Sequence, residues 1–288
     1  MIIENFSKRR LNTLNKLYLS KDIINIEAEF YIYNDLKRNS LELLKIFYDD
    51  SSENMGDKSD VIGSLLQYKS WINIPELVLP DYMVSISSVM SGYAMPFIEN
   101  NVNLKLLLSS KKVFLKRKLE LLKEVYTILD KVMNNNNLKG NFYLVDIHEN
   151  NFIIDLNCMK VKAVDIDSCY INDSTYPFSK YFASNGEMLM LPHKYPRDMR
   201  TMNYIPSNNT MLASFIFMLL NTLSGEKSYL FSREKFDNYL DELNSLGISH
   251  ILLDDINTLY NSDLNVTFNI DNLNYIDCSK DYSLRKAR

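Results

Sequence analysis

The chain has 288 residues, of which 46% are hydrophobic and 24% are charged, as is typical of a soluble globular protein that buries a full core. Its formal net charge of −4 argues against a nucleic-acid partner, because proteins that bind the phosphate backbone usually carry a basic excess. No apolar run approaches the roughly 20 residues of a membrane-spanning helix. The first residues lack the pattern of a secretion signal, and the 3 cysteines lack metal-ligand spacing. We therefore expect a cytoplasmic protein with reduced thiols and no membrane span.

The first part of the chain is predicted to be rich in β-strands. Residues 1–20 have a thin apolar spacing that favours a short helix, whereas Ile23–Tyr33 alternates between apolar and polar residues. Leu41–Tyr48 is a second predicted strand, and Lys45 lies inside it. A charge within an apolar strand needs a reason, since burying an unpaired ammonium group is costly. The alternative is a lysine that points to solvent from a half-buried strand.

The next elements alternate between a helix and strands. Helical spacing predicts a helix over Lys58–Ser70. Two prolines bound an apolar run, Ile74–Pro80, which favours an edge strand. Tyr82–Val89 alternates again, and Gly92–Glu99 is an apolar strand that ends at a proline break.

The second half of the chain is predicted to be mainly helical. Lys111–Met133 has leucines at helical spacing on one face and charged residues on the other, which indicates an amphipathic helix. Asn209–Leu223 is almost entirely apolar and predicts a buried helix, and amphipathic helices are predicted over Arg233–Leu246 and His250–Tyr260. A proline-containing segment, Cys169–Asn208, has little periodicity and is predicted to be a loop.

Three polar side chains surround a predicted hairpin in the middle of the chain. An apolar run leads to Asp146, and Asn151 follows five positions later. The predicted strands Phe152–Asp155 and Lys160–Val164 come next, and Asp165 ends the second strand. One carboxylate can orient a substrate hydroxyl, while an amide oxygen and a second carboxylate can share magnesium, which prefers oxygen ligands. The alternative is a surface hairpin with polar ends.

The sequence Asp-Ile-His-Glu-Asn-Asn, which begins at Asp146, and the later Val-Asp-Ile-Asp resemble the catalytic loop and metal-binding segment of the protein-kinase-like superfamily. The nearest likeness is to bacterial serine/threonine-protein-kinase-like proteins, although His148 is more similar to the aminoglycoside and choline phosphotransferases. The resemblance implies that Asp146 is the catalytic acid/base and that Asn151 and Asp165 bind the metal and its nucleotide. It also implies that Lys45 binds the nucleotide phosphates and takes part in catalysis.

The segment Gly-Tyr-Ala-Met-Pro, which begins at Gly92, is similar to the segment where the fifth strand of these proteins becomes the hinge between two lobes. By that resemblance, the backbone of Met95 and Phe97 would hydrogen-bond adenine. The implied fold is α+β and two-lobed, with a small β-rich N-lobe over residues 1–98 and a larger, mostly helical C-lobe over residues 99–288. The alternative for the hinge segment is an ordinary strand end.

Two features depart from the superfamily pattern. No glycine precedes Gly56, so residues near Asn25–Tyr33 must cover the nucleotide in place of a glycine-rich loop. The helix predicted after Lys45 contains no glutamate to pair with that lysine. Asp60 is the acid of its first turn, and it fits equally well as a helix-start residue.

These features together favour an ATP- and Mg²⁺-dependent phosphotransferase that transfers the γ-phosphate to a hydroxyl, with serine or threonine of a protein as the acceptor. A small-molecule kinase of the aminoglycoside or choline type is the first alternative. A catalytically impaired pseudokinase that acts as a binding module is the second. The sequence does not identify the acceptor.

Overall fold

A computed structural model describes residues 2–17, 27–48, 52–138, 140–172, 174, 195–199, 203–225, 233–261 and 268–283. Over these ranges the fold is mixed α+β, with a sheet-rich first third followed mainly by helices. Among the described helices, none combines the length and apolar character needed to cross a membrane.

A six-stranded sheet dominates the first third of the chain. Its strand order is β1-β5-β6-β4-β3-β2. The first strand pairs parallel with β5, and the other neighbours are antiparallel. The strands are β1 (Ile3–Phe6), β2 (Asn15–Leu17), β3 (Ala28–Asp35), β4 (Ser40–Phe47), β5 (Tyr82–Ile86) and β6 (Val89–Pro96).

Two strand predictions in this region are wrong. Ile74–Pro80 is not an edge strand, and its described pairing is the single bridge between Leu77 and Ala163. Proline lacks a backbone N–H, so the prolines of this run cannot donate to a ladder. Residues 82–89 do not form one strand either, because Ser87 and Ser88 have φ values of 52° and 70°. These left-handed residues turn the chain between β5 and β6.

The helices follow the predicted order, with shifted ends. The second helix begins at Ser52, earlier than predicted, and the fourth begins at Leu115 rather than at Lys111. Ser207 caps the fifth helix through a reciprocal capping box with Thr210. The helices are α1 (Lys8–Leu11), α2 (Ser52–Ile72), α3 (Leu104–Ser109), α4 (Leu115–Met133), α5 (Asn208–Ser224), α6 (Arg233–Ser245) and α7 (His250–Asn261).

The predicted hairpin is present. Strand β9 (Phe152–Asp155) pairs antiparallel with β10 (Lys160–Ala163). A short strand just after the large sheet, β7 (Asn101–Asn103), pairs with the other edge of β9. The chain therefore passes directly from the end of the large sheet to the hairpin. Strand β8 (Phe142–Tyr143), which precedes the hairpin, pairs antiparallel with β11 (Tyr170–Ile171), which follows it.

The main hydrophobic core joins the two parts of the chain. It is built around the buried faces of α4 and α5 and the hairpin, but it also includes Val61 and Leu65 of α2 and Leu77. Two smaller clusters lie on the two faces of the large sheet. The helix α2 therefore packs against both the sheet and the later helices, and a lobe boundary at residue 98 stays a prediction.

Candidate functional site

Lys45 lies on the central strand β4, and its side chain is only 1% exposed. Its Nζ forms an ion pair with Asp165 and another, at 2.6 Å, with Oδ2 of Asp167. Burial by itself would lower the pKa of Lys45, but the two carboxylates outweigh it and raise the pKa well above its ordinary value. Lys45 is therefore a buried, charged group, and the solvent-facing alternative is wrong.

The neighbouring strand β6 supports this lysine on one side. Lys45 is directly opposite Tyr93 in the ladder, and the Tyr93 hydroxyl donates to Oδ2 of Asp167 at 3.2 Å. Residue 92 must be glycine, because a Cβ there would overlap the carbonyl oxygen of Lys45. The segment predicted as the hinge therefore also packs against the backbone of the phosphate-binding candidate.

Asp165 and Asp167 come from the turn that follows β10. Asp165 has a left-handed backbone, with φ 59° and ψ 46°, which is uncommon for a residue other than glycine. The next residues form a 3-10 turn, so that both carboxylates reach Lys45. They differ in exposure, since the side chain of Asp165 is 38% exposed and that of Asp167 only 1%.

Asp167 is a site residue that the sequence reasoning missed. Burial would raise its pKa, but the ammonium groups of Lys45 and Lys58 outweigh that effect and lower the pKa to about 2. Asp167 is therefore ionised and forms the fully buried partner of Lys45. The repeated acid in Val-Asp-Ile-Asp is the signal that could have pointed to it.

The helix α2 contributes a lysine where the resemblance implies an acid. Lys58 Nζ lies 3.3 Å from Oδ1 of Asp167 and 2.8 Å from Oε2 of Glu27, just before β3. Asp60 is exposed and forms no ion pair with Lys45, so its assignment as the pairing acid is wrong. The acid next to Lys45 comes from the turn after the hairpin instead of from the helix.

The predicted catalytic loop forms a compact hydrogen-bonded turn. The Asn150 backbone N–H donates to Nδ1 of His148 at 3.2 Å, which places the imidazole proton on Nε2. The Nε2 atom lies 3.2 Å from Oδ2 of Asp146 and donates this proton to it. Asn151 donates its amide to the carbonyl oxygen of Asp146 at 2.8 Å and to Oδ2 at 3.3 Å. The contacts of His148 Nε2 and of the Asn151 amide with Oδ2 hold the Asp146 carboxylate in one orientation.

Asn151 and Asp165 are close to each other through the hairpin. The Val164 N–H donates to the carbonyl oxygen of Asn151 at 2.9 Å. The Asn151 amide nitrogen is used by Asp146, so its side-chain oxygen is the atom that can bind a metal. An amide oxygen and a carboxylate are hard donors that suit magnesium, which usually takes one or two carboxylates together with phosphate oxygens and water. Within the described ranges, no group of three or more His, Cys, Asp or Glu side chains could hold a metal without such help.

A cavity of about 220 Å³ lies next to these polar groups. Met95 and Phe97 of the predicted hinge line this cavity, and so do the candidate metal ligands Asn151 and Asp165. Most of the remaining lining is apolar, as in most small-molecule sites: Leu17, Phe30, Leu43, Val78, Pro96, Ile98, Asn101, Asn103, Asn150, Ile153 and Val164.

The cover predicted near Asn25–Tyr33 is only partly described. Residues from Ala28 onward form strand β3, and Phe30 of that strand lines the cavity together with Leu17 of β2. The connection over residues 18–26 lies outside the described residues, as does most of the predicted loop Cys169–Asn208. The described part of the cover therefore consists of β2 and β3, each of which contributes one apolar side chain to the lining of the cavity.

Two comparisons with known proteins found no match. No protein-family model matches the chain, and no curated protein matches it. A function for this chain is therefore inferred from the geometry of the site.

Proposed function

We propose that this chain is an ATP- and Mg²⁺-dependent phosphotransferase with a two-lobed, protein-kinase-like fold. One observation supports this most directly: Lys45 from the sheet forms an ion pair with Asp165 from the hairpin, and Asp165 lines a mainly apolar cavity together with Asn151. A mainly apolar cavity with oxygen ligands in its lining, one of them paired with a buried cation, suits a nucleotide, whose base has apolar faces and whose phosphates are anionic.

In this proposal, the nucleotide base would lie against the apolar residues of the cavity. Its polar edge would hydrogen-bond the backbone near Met95 and Phe97, which form the cavity wall next to the sheet. Phe30 and Leu17 would cover the base from the side of β2 and β3. The α- and β-phosphates would then extend toward Lys45.

The two acids after the hairpin have separate roles in this proposal. Asn151 and Asp165 hold Mg²⁺, which supplies positive charge to the phosphates when it is bound. Asp165 is the more exposed of the two Lys45 partners and lines the cavity, so a ligand there would reach its carboxylate. Asp167 stays buried and keeps Lys45 charged and in position.

Asp146 orients the acceptor hydroxyl and accepts its proton. Its side chain is 24% exposed, so a substrate can reach it, while His148 and Asn151 fix its orientation. Catalysis of phosphoryl transfer depends mainly on such positioning and on charge stabilisation. The acceptor is a hydroxyl, and we favour serine or threonine of a protein.

A purely structural ion-pair network explains these residues less well. Three charged groups, Lys45, Lys58 and Asp167, are largely withdrawn from water next to the more exposed Asp165. Buried ion pairs seldom repay their desolvation, and apolar side chains of the same size usually give equal or greater stability. Strained or costly polar groups beside a cavity are typical of functional sites.

A small-molecule kinase is the second candidate, and His148 favours it. The histidine hydrogen-bonds Asp146 directly, and this residue type at this position is the feature shared with the aminoglycoside and choline phosphotransferases. A screen of hydroxylated small molecules and of generic protein acceptors with γ-labelled ATP would separate the two classes of acceptor.

The central test measures binding and transfer separately. We expect Mg-ATP to raise the Tm of the wild-type protein, Asp165→Ala to abolish that Mg²⁺-dependent shift, and Asp146→Ala to keep it while losing label transfer. Asp254→Asn, an exposed acid on α7, is the matched control and should behave as wild type. The absence of any shift at millimolar Mg-ATP would contradict the proposal and favour a non-enzymatic binding module.

A further inference from the structure

A second, larger cavity of about 570 Å³ lies among the helices. It is bounded by α3, the start of α4, the end of α5 and residues 280–283. Glu149 lines this cavity, whereas the next two residues of the same turn, Asn150 and Asn151, line the proposed nucleotide cavity. The two cavities are therefore distinct and are adjacent at the predicted catalytic loop.

The charged residues that line this second cavity are mainly basic. Four lysines, Lys105, Lys111, Lys118 and Lys280, and two acids, Glu149 and Asp281, line it, and the Lys280 ammonium group donates to the carbonyl oxygen of Leu246. This basic excess stands out in a chain whose net charge is −4. The cavity therefore offers an excess of positive charge to a ligand of opposite charge.

Several of these lysines have no carboxylate partner among the described residues. The described ion pairs include none of Lys105, Lys111 or Lys118. Lys105 and Lys118 are also partly buried. Burial lowers the pKa of Lys118, as is expected for an ammonium group that is partly withdrawn from water without a compensating anion.

The charges at the start of α4 increase this imbalance. The first turn of the helix contains no acidic residue, and the side chain of its N-cap residue, Phe114, makes no capping hydrogen bond. The positive end of the helix dipole therefore adds to the positive charge of Lys118. An anion bound in the cavity would offset both.

We propose that this cavity binds a small polyanion that carries two or more phosphate groups. Its volume lies within the range of small-molecule sites, which is about 300–1,000 Å³. Lysine ammonium groups bind phosphate oxygens as point charges. Leu108, Val113 and Leu115 give the cavity apolar walls that suit the organic part of such a ligand. This site is separate from the proposed nucleotide cavity and does not depend on the proposed catalytic function.

The probe for the test is inorganic tripolyphosphate in a buffer without Mg²⁺, with binding measured by titration calorimetry. We expect saturable binding to the wild-type protein and a loss of about tenfold or more in affinity for Lys105→Ala/Lys118→Ala. The matched control is Lys112→Ala/Lys116→Ala, which removes two exposed lysines that do not line the cavity. It should change the affinity by less than about twofold, because screened surface charges contribute little.

A third variant separates this cavity from the proposed nucleotide site. Lys45→Met should leave tripolyphosphate affinity unchanged, and a loss in that variant instead of in Lys105→Ala/Lys118→Ala would overturn the proposal. No saturable binding to the wild-type protein, or equal losses in both lysine pairs, would also overturn it. Thermal unfolding checks that each variant folds. If the cavity variant does not fold, the exposed Lys111→Ala replaces it, with an expected loss of about threefold.

Discussion

The ammonium group of Lys45 on β4 forms an ion pair with the carboxylate of Asp165 after the hairpin, although the two residues are 120 positions apart in the chain. Asp167 provides a second carboxylate to the same ammonium group at 2.6 Å. The contact joins the sheet-rich first third to the later hairpin at the edge of the candidate nucleotide cavity.

Lys45→Met tests the contribution of the central cation. The variant leaves Asp165 and Asp167 close together without their shared partner, so we expect the free energy of unfolding to fall by about 3 kcal/mol. Urea unfolding of both proteins measures this difference. We also expect the Tm shift with Mg-ATP to disappear in the variant. An unchanged shift would show that Lys45 does not contact the nucleotide.

The pH dependence of the stability of Asp167→Asn tests the role of the buried carboxylate. The folded-state pKa of Asp167 lies at about 2, below the ordinary value of about 3.8 that an unfolded chain would give. The stabilisation is therefore present above about pH 3.8 and is lost as the pH falls toward 2. The shift corresponds to about 2 kcal/mol at neutral pH. We therefore expect the wild type to be more stable than the variant at pH 6, with a smaller difference at pH 2.5.

The control for this pH profile is Asp254→Asn, whose acid is exposed on α7. Its stability should follow the wild-type curve at every pH. A difference between wild type and Asp167→Asn that stays constant from pH 6 to pH 2.5 would show that the carboxylate charge is not what matters.

Lys58→Glu tests the presence of a lysine on α2 where the resemblance implies an acid. In the superfamily that the sequence resembles, an acid on this helix pairs with the lysine of the strand, yet here the helix residue contacts Asp167 and Glu27. A glutamate at this position would lie next to two acids, and we expect it to lower the Tm more than Lys58→Met does. Equal or higher stability of Lys58→Glu would indicate that Lys45 can take a helix acid as its partner.

Gly92→Ala tests the close packing of β6 against β4. The added Cβ would overlap the carbonyl oxygen of Lys45 and force the strands apart, at a cost of about 1–3 kcal/mol in the free energy of unfolding. The neighbouring Ser91→Ala, whose side chain bonds only the carbonyl of Val89 among the described contacts, should cost much less. Urea unfolding distinguishes the two variants, and equal costs would contradict a specific steric requirement at residue 92.

Much of the secondary structure could be predicted from the sequence because local patterns determine it. The helical spacing of α4, the apolar composition of α5 and the two short runs of the β9–β10 hairpin all indicated their elements before any contact was known. The errors also had local causes. The prolines in residues 74–80 prevent a strand there, and the left-handed Ser87 and Ser88 divide another.

The candidate site was only partly predictable. A motif of Asp146, Asn151 and Asp165 is visible in the sequence because its residues are close along the chain and flank one hairpin. The sequence does not reveal that Asn151 and Asp165 line one cavity with Met95 and Phe97. The hinge segment and the hairpin come together only when β7 pairs with β9.

The sequence by itself determined the long helices, several of the strands and the presence of oxygen-bearing side chains around one hairpin. Only the tertiary structure decided which charges meet: Lys45 with Asp167, and Lys58 with Asp167 and Glu27. The physical reason is that propensity and periodicity act over a few residues, whereas an ion pair between residues more than a hundred positions apart depends on how the sheet, α2 and the hairpin pack together.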